Sequence, residues 1–247
     1  MAMPQMVGEV QRRLLVNYRV DPEVLQPLLP AGLRPQLVDG AGVAGICLIR
    51  LGGLHLRRLP SAIGLTTENA AHRIAVQWED DTGSHTGVYI PRRDSDSRLT
   101  VLLGGRVFPG VHSRARFTVS ETDDDLQVAF RSTDGGASVD VRVAVAPTLE
   151  GSHLFDDVAQ ASAFFEQGAV GWSPRRDGVH LEGIRLCTRA WRVDPGRVVH
   201  SRSSFFDDTS RFPAGSATLD CALVMRRVPV TWDVVPEPPG ALATTER

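Results

Sequence analysis

The chain has 247 residues, of which 42% are hydrophobic and 23% charged, with a net charge of -2 at pH 7. That balance describes a globular protein long enough to bury a core in one large β-rich domain, and it excludes a disordered or fibrous chain. Basic residues are scattered among nearly equal acids with no basic run interleaved with aromatics, so a nucleic-acid partner is not expected.

In chain order, the segment 20 to 35 (VDPEVLQPLLPAGLRP) predicts a short helix. Asp21 is its N-cap, Pro22 takes the first helical position, and Pro27 and Pro30 stop it after about two turns. Strands follow at 42 to 51 and 70 to 78, with a hairpin turn over Asp80 to Ser84. Residues 95 to 108 (SDSRLTVLLGGRVF) fit a helical face through Leu99, Leu102, Leu103 and Arg106, while Thr100, Val101 and two glycines favour a strand. RARFTVSE, DLQVAFRS and ASVDVRVAVAP alternate apolar with polar residues, which predicts an antiparallel meander with one buried face. The strongest helical pattern is 154 to 168 (LFDDVAQASAFFEQG), ending at Gly168. Further strands are expected at GIRLCTRAWRV, RVVHSRSSFF and ATLDCALVMRRVPVTW, with a turn at Asp194, Pro195 and Gly196. One domain over 1 to 236 and a disordered tail over 237 to 247 complete the reading, so the fold class is α+β, mainly antiparallel β.

Several chemistries are excluded or disfavoured. All 27 basic residues are arginine, so no side-chain amine exists to form a Schiff base with a carbonyl substrate. Cys47, Cys187 and Cys221 lack CxxC spacing and read as small thiols in a reducing cytoplasm. The seven histidines form no HxH or HxxxH pair, so no metal site is expected, and no cofactor motif stands out. No apolar run is long enough for a membrane span, and the N-terminal residues do not resemble a secretion signal. The acidic runs at 123 to 125 and 205 to 208 read as solvated turns.

The candidate chemistry centres on TTENAAHRIAVQW. As a strand it puts Glu68, His72 and Trp78 on one face, where a carboxylate and an imidazole at the rim of an apolar interior can serve as acid and base. The bland alternative makes Glu68 an exposed strand end and His72 a hydrogen-bonded core residue. GGRVFPGVHSR (104 to 114) could hold an anion through its amides, Arg106 and His112, but it lacks phosphate-loop spacing. Trp78, Trp172, Trp191, Trp232, Phe164, Phe165 and Tyr89 are either pocket lining or core.

Residues 13 to 51, TENAAHRIAVQW and residues 87 to 119 together resemble the YqjF-like family, domain of unknown function 2071, within the acetoacetate decarboxylase-like superfamily. DPExLxPLLPxGL is its most specific stretch. The resemblance implies a cone-shaped, bent antiparallel β-barrel with outer helices and an internal cavity. It also implies a helix from about Asp96 to Val107, then a turn delivering residues to that cavity. In the decarboxylases that turn carries the Schiff-base lysine; here Gly105-Arg106 and Gly110-Val111-His112 match its context and Ser113 falls where the lysine would be. Glu68 matches the superfamily's cavity glutamate. These expectations combine into a protein acting on a small keto or polyketide-like acid by non-covalent acid/base chemistry. Glu68, His72 and His112 would be catalytic, while Arg106, Ser113, Trp78 and Tyr89 would bind the substrate. The alternatives are a non-catalytic binder of an apolar acid and a structural domain; homo-oligomer formation is compatible with each.

Overall fold

The computed structural model describes residues 5–57, 64–103 and 110–238. They form one 13-stranded sheet in the order β11-β10-β6-β7-β8-β9-β12-β13-β1-β4-β5-β2, with β3 beside β4. The strands are β1 (Met6–Val20), β2 (Arg34–Pro35), β3 (Leu37–Val38), β4 (Ala41–Leu56), β5 (Leu65–Asp80), β6 (Gly83–Ser95) and β7 (His112–Glu121). They continue with β8 (Asp125–Ser132), β9 (Ser138–Val145), β10 (Val170–Pro174), β11 (Leu181–Cys187), β12 (Asp194–Ser203) and β13 (Ala217–Val235). Two extra pairings, β5 with β6 and β11 with β13, turn this path back on itself, so the sheet closes into two rings sharing β13, β1, β4, β5 and β6. All pairings are antiparallel except β6 with β7 and β6 with β10. Closure removes most free edges, where unpaired backbone would invite association.

The shared strands are apolar on both faces because both are covered. One face carries Leu14, Val16, Ile46, Leu48, Ile74, Val76 and Trp78, continuous with Val128, Phe130 and Val141 of the meander. The other carries Leu15, Val43, Cys47, Ala71, Ala75 and Ile90. Helix α3 (Val158–Gln167) covers this second face with Ala161 and Phe165. It starts at Val158 rather than at 154, since Leu154 and Phe155 donate their amides to Ser152 Oγ in a preceding turn and Asp157 is the N-cap, accepting from Gln160. Helix α1 (Pro22–Leu25) is capped by Asp21 and runs into a 3-10 turn over Gln26–Leu28, which matches the two turns expected.

The meander is β7, β8 and β9, in the register Phe117, Phe130, Val139, with the two phenylalanine rings stacked at 5.1 Å. The segment after Ser95 is helical over α2 (Arg98–Leu103); residues 104 to 107 of the expected helix, Arg106 among them, lie outside the described residues. Two expectations are corrected. Asp194, Pro195 and Gly196 are not a turn but the first residues of β12, paired with Val224, Leu223 and Ala222. Gly196 lies between β13 and β9, and a Cβ there would sit 2.6 Å from Val143 Cγ1, so the glycine serves close strand approach. Within 205 to 208, Phe206 is buried and stacks on Tyr18 at 4.0 Å, so the turn contributes to the core.

Candidate functional site

Strand pairing lines up His112, Arg93, Ala71 and Cys47 in one row across β7, β6, β5 and β4. Residues two positions along on the same face add Arg73 and Asn69 on β5, and Arg13 enters from β1. These side chains line a cavity of about 170 Å³, closed on its apolar side by Ile49, Val88, Ile90, Phe165, Ile184 and Trp232. An apolar cavity of roughly 150 Å³ accommodates benzene, so the space fits a compact ligand of a few carbons.

The cavity wall holds three guanidinium groups, from Arg13, Arg73 and Arg93, and among the described residues no aspartate or glutamate lines it. Arg73 is 2% exposed, donates to Asn17 Oδ1 and lies 4.6 Å over the Phe165 ring, while its Nε finds no acceptor among the described residues. Arg93 donates from Nε to Ser173 Oγ at 2.8 Å, leaving one buried terminal nitrogen without a partner among the described residues. Burial holds both guanidinium groups down to about 10, opposed in part by the Cys47 sulfur and, for Arg93, by Glu182. Leaving a buried charged donor unpaired costs free energy unless something supplies the missing acceptor.

His112 is placed by the turn before it. Gly110 adopts φ +80°, and a Cβ there would lie 2.8 Å from Ser173 Cβ and 3.1 Å from Arg93 Nε, so only glycine lets β7 enter beside Arg93. The Gly110 amide donates to Glu182 Oε2 at 2.7 Å. His112 Nδ1 lies 3.1 Å from Gly110 O and donates to it, which makes Nε2 the remaining acceptor of a neutral ring. Burial, reinforced by the Arg93 charge, pushes the imidazole down to about 3.

The residues singled out from the sequence divide between the two faces of the sheet. Glu68, His72 and Trp78 share a face as the alternation implied, and it is the face away from Arg73 and Asn69. There Glu68 accepts from Arg50 Nε at 2.6 Å and from both terminal nitrogens of Arg12, which also bridges to Glu121 at 3.1 Å. Arg12 and Arg50 are direct cross-strand neighbours; the two carboxylates convert a repulsive pair into a neutral four-membered cluster. His72 is fully buried, stacks on Phe205 at 4.7 Å and has Nε2 3.4 Å from Ser203 Oγ. Desolvation first, then the charges of Arg92 and Arg211, push it down to about 3. Trp78 packs edge-on against Trp172 at 5.6 Å, and Tyr89 is buried in the same core. Ser113, next to His112, points the opposite way and bonds Asp134, within the Arg92–Asp94–Asp134 cluster. His112 alone of the candidate catalytic residues therefore lines the cavity.

Among the described residues, no group of three or more His, Cys, Asp or Glu side chains is placed to hold a metal, and no helix is long and apolar enough to cross a membrane. The family DUF2071, described as an uncharacterized conserved protein, matches residues 8–208. A comparison with curated proteins gives no significant match. Among solved structures, an acetoacetate decarboxylase-like enzyme from Sphingomonas wittichii RW1 superposes with a TM-score of 0.64 at 14% identity, covering 96% of this chain and 92% of that one. The enduracididine biosynthesis enzyme MppR, complexed with the condensation product of pyruvate and imidazole 4-carboxaldehyde, gives 0.61 at 12% identity over 98% and 90% of the two chains. An acetoacetate decarboxylase from Legionella pneumophila gives 0.59 at 14% identity over 96% and 88%. The fold is thus acetoacetate decarboxylase-like.

Proposed function

Because the chain belongs to the DUF2071 family and folds like the acetoacetate decarboxylases, we propose that its cavity receives a small organic carboxylate with an apolar body and transfers protons on it without a lysine. The observation that carries this reading is the wall of three arginines, lined by no aspartate or glutamate among the described residues, two of them holding buried nitrogens with no partner among those residues. A carboxylate is the acceptor that matches guanidinium geometry. The apolar remainder of the wall suits a short carbon skeleton, and MppR, of similar fold, was captured with pyruvate.

His112 is the proton-handling group of this reading. Arg93 stands beside it in the row, and its positive field opposes protonation of the ring. Burial is the larger cause of the lowered value, and a carboxylate docked on Arg93 offsets the second one, so the substrate itself raises the basicity of Nε2. Proton transfer at a carbon next to a carbonyl, the elementary step of isomerisation and dehydration, needs a base so placed. Glu68 falls outside this assignment because its oxygens are already held by Arg12 and Arg50.

The test is a thermal-shift series of 2-oxo, 3-oxo and 4-oxo acids, each paired with its neutral amide, followed by product analysis of every stabilising acid. An acid at a hundredfold excess over its Kd should stabilise by about 2.7 kcal/mol while its amide does little. Acids and amides acting alike, or none acting, would overturn the reading; binding with no product would leave a carboxylate receptor.

A further inference from the structure

The three cysteines occupy opposite electrostatic settings. Cys221 is buried, and desolvation, with a contribution from Asp220, pushes it up to about 12. Cys187 is half-buried with Sγ 3.4 Å from an Asp233 oxygen, and desolvation together with that carboxylate also raises it. Cys47 stands on the cavity wall, 7% exposed, with Arg13 Nε donating to its Sγ at 3.3 Å and with Arg73 and Arg93 both in electrostatic range. A thiol can attack a bound ligand only from the wall of the space that holds it, and Cys47 is the cysteine that lines this cavity among the described residues.

A separate observation points to an occupant beside that sulfur. Arg73 is more than nine-tenths buried, lines the same cavity, and has an Nε without an acceptor among the described residues. A carboxylate accepting from Arg73 or Arg93 would place its own carbon skeleton against Cys47, which lies in one row with Arg93, separated from it only by the small side chain of Ala71.

We propose that Cys47 is a nucleophile of this cavity and forms a thioether with an α,β-unsaturated oxo acid held by its carboxylate on the arginines. The inference rests on the reading of the cavity as an acid site and narrows its substrate class to electrophilic acids. The thiol gives up its proton, the sulfur lone pair forms a bond to the β-carbon, and the alkene π pair moves to the α-carbon and its carbonyl as an enolate. The α-carbon then takes up one proton, equal to the one the thiol gave up, with His112 on the same wall accepting the first and returning it to carbon. Nothing is oxidised and nothing leaves, so the adduct has the summed mass of protein and acid.

The experiment uses the full chain with trans-4-oxo-2-pentenoate, its methyl ester, and the saturated 4-oxopentanoate, read by intact mass and peptide mapping. The expected result is one adduct on Cys47, formed at least tenfold faster with the acid than with the ester, blocked by 4-oxopentanoate and absent in Cys47→Ser. In Arg93→Gln the acid should lose most of that advantage. Ester reacting as fast as acid, or labelling spread onto Cys187, would overturn the proposal, and both comparisons need only the wild-type protein. If 4-oxopentanoate raises the melting temperature but the unsaturated acid leaves no adduct, the thiol inference fails while the acid site stands. If neither acid binds, both fall.

Discussion

Arg12 and Arg13 are adjacent in β1 and serve opposite faces of the same sheet: Arg12 bridges Glu68 and Glu121, whereas Arg13 turns to Cys47 on the cavity wall. The period of two in a strand makes this division unavoidable. It separates a structural ion cluster from a ligand site with only the thickness of one sheet between them.

Glu68→Gln should therefore act on stability and not on ligand affinity. Replacing the carboxylate leaves Arg12, 2% exposed, and Arg50 to share the single charge of Glu121, a loss of about 3 kcal/mol by the usual cost of breaking a buried pair. Urea unfolding would give the cost, and titration of a cavity acid under folded conditions should show less than a threefold change in Kd.

Arg93→Gln should do the reverse. Removing the guanidinium takes away one charge-assisted contact, about 1.5–3 kcal/mol or roughly 10- to 100-fold in affinity for an acid. The amide of the same acid should bind wild type and variant alike, as measured by calorimetry.

The pH dependence of binding tests His112. Its ring is held down to about 3 in the free protein, and a bound carboxylate raises it, so the complex binds more protons than its components. Affinity for an acid that stays ionised should thus increase as pH falls from 6 toward 4.5, and His112→Asn should flatten the trend. A wild-type profile that weakens over that range would contradict the assignment.

Stability should fall with acid through His72. An imidazole of ordinary value about 6.5 in the unfolded chain and about 3 when buried takes up its proton more readily once unfolded. Its contribution is complete above pH 6.5 and declines as pH drops toward 3, reaching a loss of about 2 kcal/mol at pH 5. Comparing unfolding of wild type and His72→Asn at pH 7 and pH 5 isolates that part, since the variant lacks the titrating ring.

Local pattern made the meander, the capped helices and the shared face of Glu68, His72 and Trp78 legible, because alternation and caps are properties of neighbouring residues. It could not say which face holds the cavity. Ala70 and Ala71, or Ile74 and Ala75, are equally apolar neighbours pointing opposite ways, and only the partners brought by distant strands distinguish them. Arg73 and Arg93 were not among the site residues expected from the sequence, where 27 arginines are scattered along the chain. The available signal was Arg73 between Ala71 and Ala75, a charge on an otherwise small apolar face. Pro195 and Gly196 carried turn chemistry into a strand start because the need for close approach to β9 lies more than 50 residues away.

Strand β13 pairs with β1, β11 and β12 at once, so residues near the start of the chain, Met6 to Val20, find their partners at Ala217 to Val235. During synthesis the first strand must therefore wait for almost the entire chain to emerge before its long-range pairing can form. Arg13 and Trp232, on opposite sides of that wait, both line the cavity. A ligand cannot template early folding of this protein, and a nascent chain halted before β13 would expose the apolar faces of β1 and β4 to chaperones instead.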